Sequence, residues 1–186
     1  MNKNFLWITI GVLAAFGVIY LAVTTDLTGV TGNLLSGENN GQAGEVFVPG
    51  TSAISEDGKV LALNGGAARN EAEWGTPGAP QQSGPIDMKI LPEDSVNIQV
   101  SAVGFSPGDF KVKAGKAVIL SLTSSDSFTH SFHFADPKLK AVAIGVSPGE
   151  TRAIVFNAPD KKGEYAFLCD LPGHAGRGET GKMIVE

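Results

Sequence analysis

The chain has 186 residues, 42% of them hydrophobic, with 24 glycines, a single cysteine, three histidines and a formal net charge of −5. That length accommodates one ordinary domain plus extensions. The acidic balance, with no basic face visible, excludes a phosphate-backbone partner, so no nucleic acid is expected.

The first element in chain order is apolar. Residues 5–23, FLWITIGVLAAFGVIYLAV, are interrupted only by Thr9 and Tyr20, and about 19 residues rising about 1.5 Å each roughly span a bilayer's hydrocarbon core. Lys3 and the free amino group precede the run and Asp26 follows it, so the positive-inside bias leaves the N-terminus in the cytoplasm and exports what comes after. A cleaved signal has a shorter apolar core, of about 7 to 15 residues, and a small-x-small site, of which Ala22-Val23-Thr24 is a poor example. Residues 1–24 are therefore expected to be an uncleaved transmembrane anchor, with the rest of the chain on the periplasmic or extracellular side of the membrane.

Residues 25–85 read as an acidic, Gly/Pro-rich linker. NGG and TPGAP punctuate the stretch, and no apolar period of 2 or 3.6 persists through it. The chain's net negative charge arises here, from Asp26, Glu38, Glu45, Glu56, Asp57, Glu71 and Glu73 against Lys59 and Arg69, while the remainder is near balance. A solvated, self-repelling tether is expected. Two pieces, GEVFVPG and GKVLALNGG, are apolar enough to dock on a partner or on the domain that follows.

From Ile86 the pattern changes to short runs rich in Val, Ile, Phe and Thr, separated by Gly, Pro, Asp and Ser clusters, which predicts an all-β domain over 86–186. Expected strands are SVNIQVSAV, DFKVKAG, KAVILSLTS, FTHSFHF, KAVAIGV, ETRAIVFNA, GEYAFLC and GKMIVE. Alternation in FKVK and ETRAIVF fits sheets with one buried face.

All three histidines, His130, His133 and His174, fall in this region with Cys169. Outside the cytoplasm an unpaired cysteine can oxidise or cross-link, so Cys169 needs a reason to be there. Four residues, DLPG, separate it from His174, and a bend that tight can aim a thiolate and an imidazole at one centre. A histidine from the distant strand THSFHF completes three ligands, a soft trigonal set that selects copper and serves electron transfer when the fourth ligand is weak. Zinc accepts the same atoms, although its sites usually show more conventional spacing or a second thiolate. A Cys–His nucleophile pair lacks an evident orienting Asn or Asp.

FKVKAGKAVILSLTSSDSFTHSFHF followed by VSPGETRAIVFNAPDKKGEYAFLCDLPGH resembles the small blue copper proteins, the cupredoxins of the plastocyanin and azurin group, over roughly residues 95 to 186. The resemblance implies a Greek-key β-sandwich, the cupredoxin fold, with one type 1 copper ion at one end. It implies His130, Cys169 and His174 as equatorial ligands. Strand alternation cannot turn both His130 and His133 inward, because a spacing of three reverses the side, and the histidine preceding Ser-Phe is the family's ligand. Where the family places a methionine, followed by x-Gly and the final strand, this chain reads Glu179-Thr180-Gly181. Glu179 is therefore the expected fourth metal ligand, and Met183 is an apolar core position of the last strand, since too few residues follow it to form one.

The function implied is single-electron transfer between a redox-protein donor and acceptor outside the cytoplasm, in association with a respiratory or photosynthetic complex, and not an enzymatic reaction. Two alternatives stay open. One is an accessory cupredoxin subunit of a membrane respiratory complex, against whose dinuclear form stands Gly173, where a second cysteine would be needed. The other is a copper catalytic or delivery site that uses the Glu179 carboxylate.

Overall fold

The computed structural model describes residues 48–186. The apolar run 5–23 lies outside the described residues, and among those described no helix is long and apolar enough to cross a membrane. Their regular structure is strand: β1 (Val96–Ser101), β2 (Gly104–Ser106), β3 (Asp109–Val112), β4 (Ala117–Ser124), β5 (His130–Phe134), β6 (Ala143–Val146), β7 (Thr151–Asn157), β8 (Gly163–Leu168) and β9 (Thr180–Val185). Short 3-10 turns at Met88–Ile90, Pro137–Leu139 and Ala175–Arg177 complete it. Each of the eight apolar runs in the sequence contains a strand. β2 escapes a pattern reading because a three-residue GFS carries no period.

The strands form two sheets, ordered β2-β1-β4-β7 and β3-β9-β8-β5-β6. Pairing is antiparallel except for β1 with β4 and β3 with β9, which are parallel. The core lies between the sheets: Ile98, Val100, Leu120, Leu122, Ile154 and Phe156 from the first meet Phe132, Phe134, Ile144, Phe167, Met183 and Val185 from the second. Phe132, Phe134 and Phe167 stack edge-on or tilted, with centroids 4.6 to 6.2 Å apart, and full burial of each such side chain contributes about 1.5–3 kcal/mol.

Alternation sets which residues reach the core. β5 buries His130, Phe132 and Phe134 and leaves Ser131 and His133 only half-covered. In β9 the inward positions are Met183 and Val185, and Met183 is fully buried beside Phe110 and Tyr165, the core role expected of it. Gly181 holds the next inward position, where a Cβ would overlap the Gly108 carbonyl oxygen and the Phe167 ring.

Residues 48–85, expected to be part of a solvated tether, instead pack on the outer face of the first sheet. Val48, Val60, Ala62 and Ala68 cluster with Ile119, Ala153 and Val155. The segment has almost no regular structure, only the isolated bridges Ile54 to Val60, Leu61 to Ala67 and Gln82 to Ile154. Its last residues run along the free edge of β7: Ser83 N–H donates to Ala153 O at 2.8 Å and Ile86 N–H to Thr151 O at 2.9 Å. The strap therefore covers both an apolar face and a strand edge that would otherwise be open for intermolecular pairing. Its signature is in the strands beneath it, since AVILSLTS and TRAIVFN are nearly continuous apolar runs, the pattern of strands buried on both faces. Of the two pieces expected to dock, GKVLALNGG supplies Val60 and Ala62 and GEVFVPG supplies Val48.

Candidate metal centre

The β8–β9 hairpin builds one side of the site. Phe167 pairs with Gly181 and Leu168 with Thr180, and one step further Cys169 N–H donates to Glu179 O at 3.1 Å. Residues directly opposite in an antiparallel pair share a face, so Cys169 and Glu179 both turn inward, next to Phe167 and Gly181. The intervening loop returns through the 3-10 turn Ala175–Arg177, with His174 preceding it and Gly178 ending it at φ +104°, a left-handed conformation that glycine adopts without a Cβ penalty. His174 O accepts from Arg177 N–H at 3.0 Å. The turn thus brings the imidazole of His174 to the residue that follows it by five. His130 enters from β5 in the same sheet.

The ligand atoms of His130, Cys169, His174 and Glu179 all lie within 4.8 Å of one another. His130, Cys169 and Glu179 are fully buried, and the His174 side chain is 14% exposed, so the cluster meets solvent through His174 alone. Glu179 Oε2 lies 2.8 Å from His130 Nδ1 and 2.9 Å from His174 Nδ1. Cys169 Sγ lies 3.5 Å from His174 Nδ1, and the two imidazoles meet edge-on with centroids 5.2 Å apart. His133 is outside the cluster, on the opposite face of β5.

Glu179 therefore does not point to solvent from a polar loop. Burial alone would raise its pKa, but hydrogen bonds from His130, His174, Arg177 and Cys169 together hold it below the usual glutamate value. Arg177 Nη2 donates to Oε1 at 3.1 Å, which leaves Oε2 as the oxygen aimed at the donors.

Three further groups brace the site and were not singled out in the sequence. Ser131 N–H donates to Cys169 Sγ at 3.3 Å, a contact that favours the thiolate. Ser131 Oγ donates to Asp170 Oδ1 at 2.6 Å and accepts from Asp170 N–H at 3.0 Å, clipping the His130 strand to the Cys169 loop. Asp126 Oδ1 lies 2.9 Å from His130 Nε2. SSDS reads only as a turn, and nothing in its spacing marks Asp126 as a neighbour of the site.

One thiolate, two imidazoles and one carboxylate in a buried cluster are the donors copper takes when soft sulfur and nitrogen dominate, and the four residues present fit that ion. A sandwich with such a cluster at the mouth of its last hairpin defines a copper-protein class, and comparison with known proteins agrees. Residues 85–185 match the family model described as cupredoxin-like domain. The chain belongs to that family. It is 30% identical over 112 residues to plastocyanin of Rumex obtusifolius, an alignment covering 54% of this chain and 100% of the relative. With chloroplastic plastocyanin of Hordeum vulgare it shares 32% identity over 93 residues, 44% of this chain and about half (54%) of that protein's length. Among solved structures, dithionite-reduced auracyanin of Roseiflexus castenholzii superposes with a TM-score of 0.46 at 20% identity, covering 50% of this chain and 98% of that one.

Proposed function

We propose that this chain is a one-electron carrier in which copper is held by His130 Nδ1, Cys169 Sγ, His174 Nδ1 and Glu179 Oε2. The observation that carries the reading is the convergence of those four donors in a cluster that is buried except at His174. Copper bound there supplies a Cu(II)/Cu(I) couple. The protein's part is to hold the donors still: the hairpin register sets Cys169 against Glu179, the Ser131–Asp170 clip sets the strand against the loop, and the Ser131 N–H stabilises the thiolate. A frame already in place needs little rearrangement when the charge at its centre changes, which is what fast electron exchange requires. His174, the one donor with solvent exposure, is the natural contact for a redox-protein donor or acceptor. Glu179 is harder and more negative than a methionine thioether, so it favours the oxidised ion.

The same proposal extends to the surroundings. Residues 1–24 anchor the chain in a membrane, and the cupredoxin domain, 86–186 with its strap, works on the extracytoplasmic side between membrane-bound or soluble redox partners. Full-length protein is expected in the membrane fraction with Met1 or Asn2 at its N-terminus. Soluble protein beginning near Thr25 would remove the anchor.

The test of the site is the optical and paramagnetic resonance spectrum of the copper-loaded chain beside that of Cys169→Ser. The unsubstituted protein should show an intense thiolate-to-copper band and reversible one-electron redox, and the variant should be colourless. An undiminished band in Cys169→Ser overturns the assignment.

A further inference from the structure

We propose that Arg177 is a positioning residue that holds Glu179 to one-oxygen binding and whose charge offsets part of the carboxylate's preference for the oxidised ion. The inference rests on the copper reading above and concerns a residue outside the four donors. Arg177 reaches the site from the surface: its side chain is 48% exposed, whereas that of Glu179 is fully buried. Its Nη2 donates to Glu179 Oε1 at 3.1 Å. The other oxygen, Oε2, lies 2.8 Å from His130 Nδ1 and 2.9 Å from His174 Nδ1. The two oxygens of one carboxylate thus have different partners, the guanidinium for Oε1 and the imidazoles for Oε2.

The backbone fixes the root of the Arg177 side chain. Arg177 ends the 3-10 turn Ala175–Arg177, and its N–H donates to His174 O at 3.0 Å, the carbonyl that Glu179 N–H also meets at 3.4 Å. Arg177 is therefore tied to one donor residue through its main chain and to another through its side chain. Gly178, the next residue, seats its carbonyl oxygen against β2, where a Cβ on Gly104 would lie 3.0 Å from it. A guanidinium is charged whatever the pH and only donates hydrogen bonds. A carboxylate with both oxygens free can close on a metal through the pair of them, adding a hard fifth donor that favours a tetragonal site. With Oε1 taken by Arg177, only Oε2 is left to bind. The fixed positive charge beside the ligand also repels the more highly charged ion, so Arg177 opposes Glu179 in setting the potential.

Cobalt(II) substitution and the reduction potential of the full chain test this. The d–d bands of cobalt(II) are strong with four donors in a tetrahedral field and weaken as a fifth is added, a readout independent of electron transfer. The unsubstituted protein should show strong bands. Arg177→Leu should weaken them and increase the preference for Cu(II) over Cu(I) about tenfold, a fall of about 59 mV for a one-electron couple. Arg177→Lys keeps the charge and a donor and should restore the greater part of both. Lys59→Gln, which removes an exposed positive charge of the strap, should leave bands and potential unchanged. Weak bands in the unsubstituted protein overturn the inference even if neither Arg177 variant folds. So do unchanged bands or an unchanged potential in Arg177→Leu, an equal fall in Lys59→Gln, or an Arg177→Lys variant that behaves as Arg177→Leu does. Failure of the copper reading itself has a different signature, a chain that gains no thiolate-to-copper band at all.

Discussion

The 169–179 loop and the 48–85 strap are both glycine-rich, nearly free of regular structure and punctuated by Pro-Gly, yet they are fixed by opposite means. The loop is held from inside by polar groups: Cys169, His174 and Glu179 converge, and Arg177 and the Ser131–Asp170 clip brace them. The strap is held by apolar burial, with Val48, Val60, Ala62 and Ala68 seated on Ile119, Ala153 and Val155, and by backbone bonds to the β7 edge. Irregular backbone is thus no sign of a tether. What matters is whether its side chains have a surface to bury against or partners to bond, and the two mechanisms fail under different perturbations.

The sharpest break of the strap is Val60→Asp. Val60 is fully buried, and an unpaired carboxylate at such a position costs about 3–5 kcal/mol. Denaturant unfolding of the copper-loaded protein should show that loss while the spectrum of the folded fraction stays as it was. If the spectrum of the folded fraction collapses along with the strap, the two regions are not held separately, and if stability does not change, burial of Val60 is not what holds the strap.

The complementary break is at Glu179, where stability should respond less than the potential. Glu179→Met should raise the potential and move the spectrum toward that of an ordinary blue site. Glu179→Gln should raise it less, because the amide still offers an oxygen. Each roughly 1.4 kcal/mol of lost preference for the oxidised ion corresponds to about 59 mV. Potentials equal to that of the unsubstituted protein in both variants would show that the buried carboxylate is not a ligand.

The smallest expected effect is at His133, three residues from His130 on the outward side of β5. His133→Ala should leave the spectrum unchanged and alter stability by less than about 1 kcal/mol. A bleached site would reverse the roles of the two histidines.

How much of this is legible in the sequence differs between the two regions for a physical reason. Strand alternation is local, so counting by two puts His130 and His133 on opposite faces, while the choice of His130 came from the resemblance and the core role of Met183 from the few residues that follow it. The one-bend spacing of Cys169 and His174 is local as well. Nearly continuous apolar runs in β4 and β7 were also present to be read, and they signal a second covered face. They do not say what covers it, because Val60 is far in sequence from Ile119, Ala153 and Val155, the residues it clusters with.

By itself, then, the sequence determined the β domain and the alternation of its strand faces, because each of these depends on spacing within one hairpin or strand, while the expectation that His130, Cys169, His174 and Glu179 act together came from the resemblance to the cupredoxins. Only the tertiary structure decided that residues 48–85 lie on the sandwich, that Glu179 is buried and held by Arg177, and that Asp126 backs His130. Those contacts join segments whose separation along the chain carries no period, and their energies come from burial and from hydrogen bonds that exist only once the two sheets have closed.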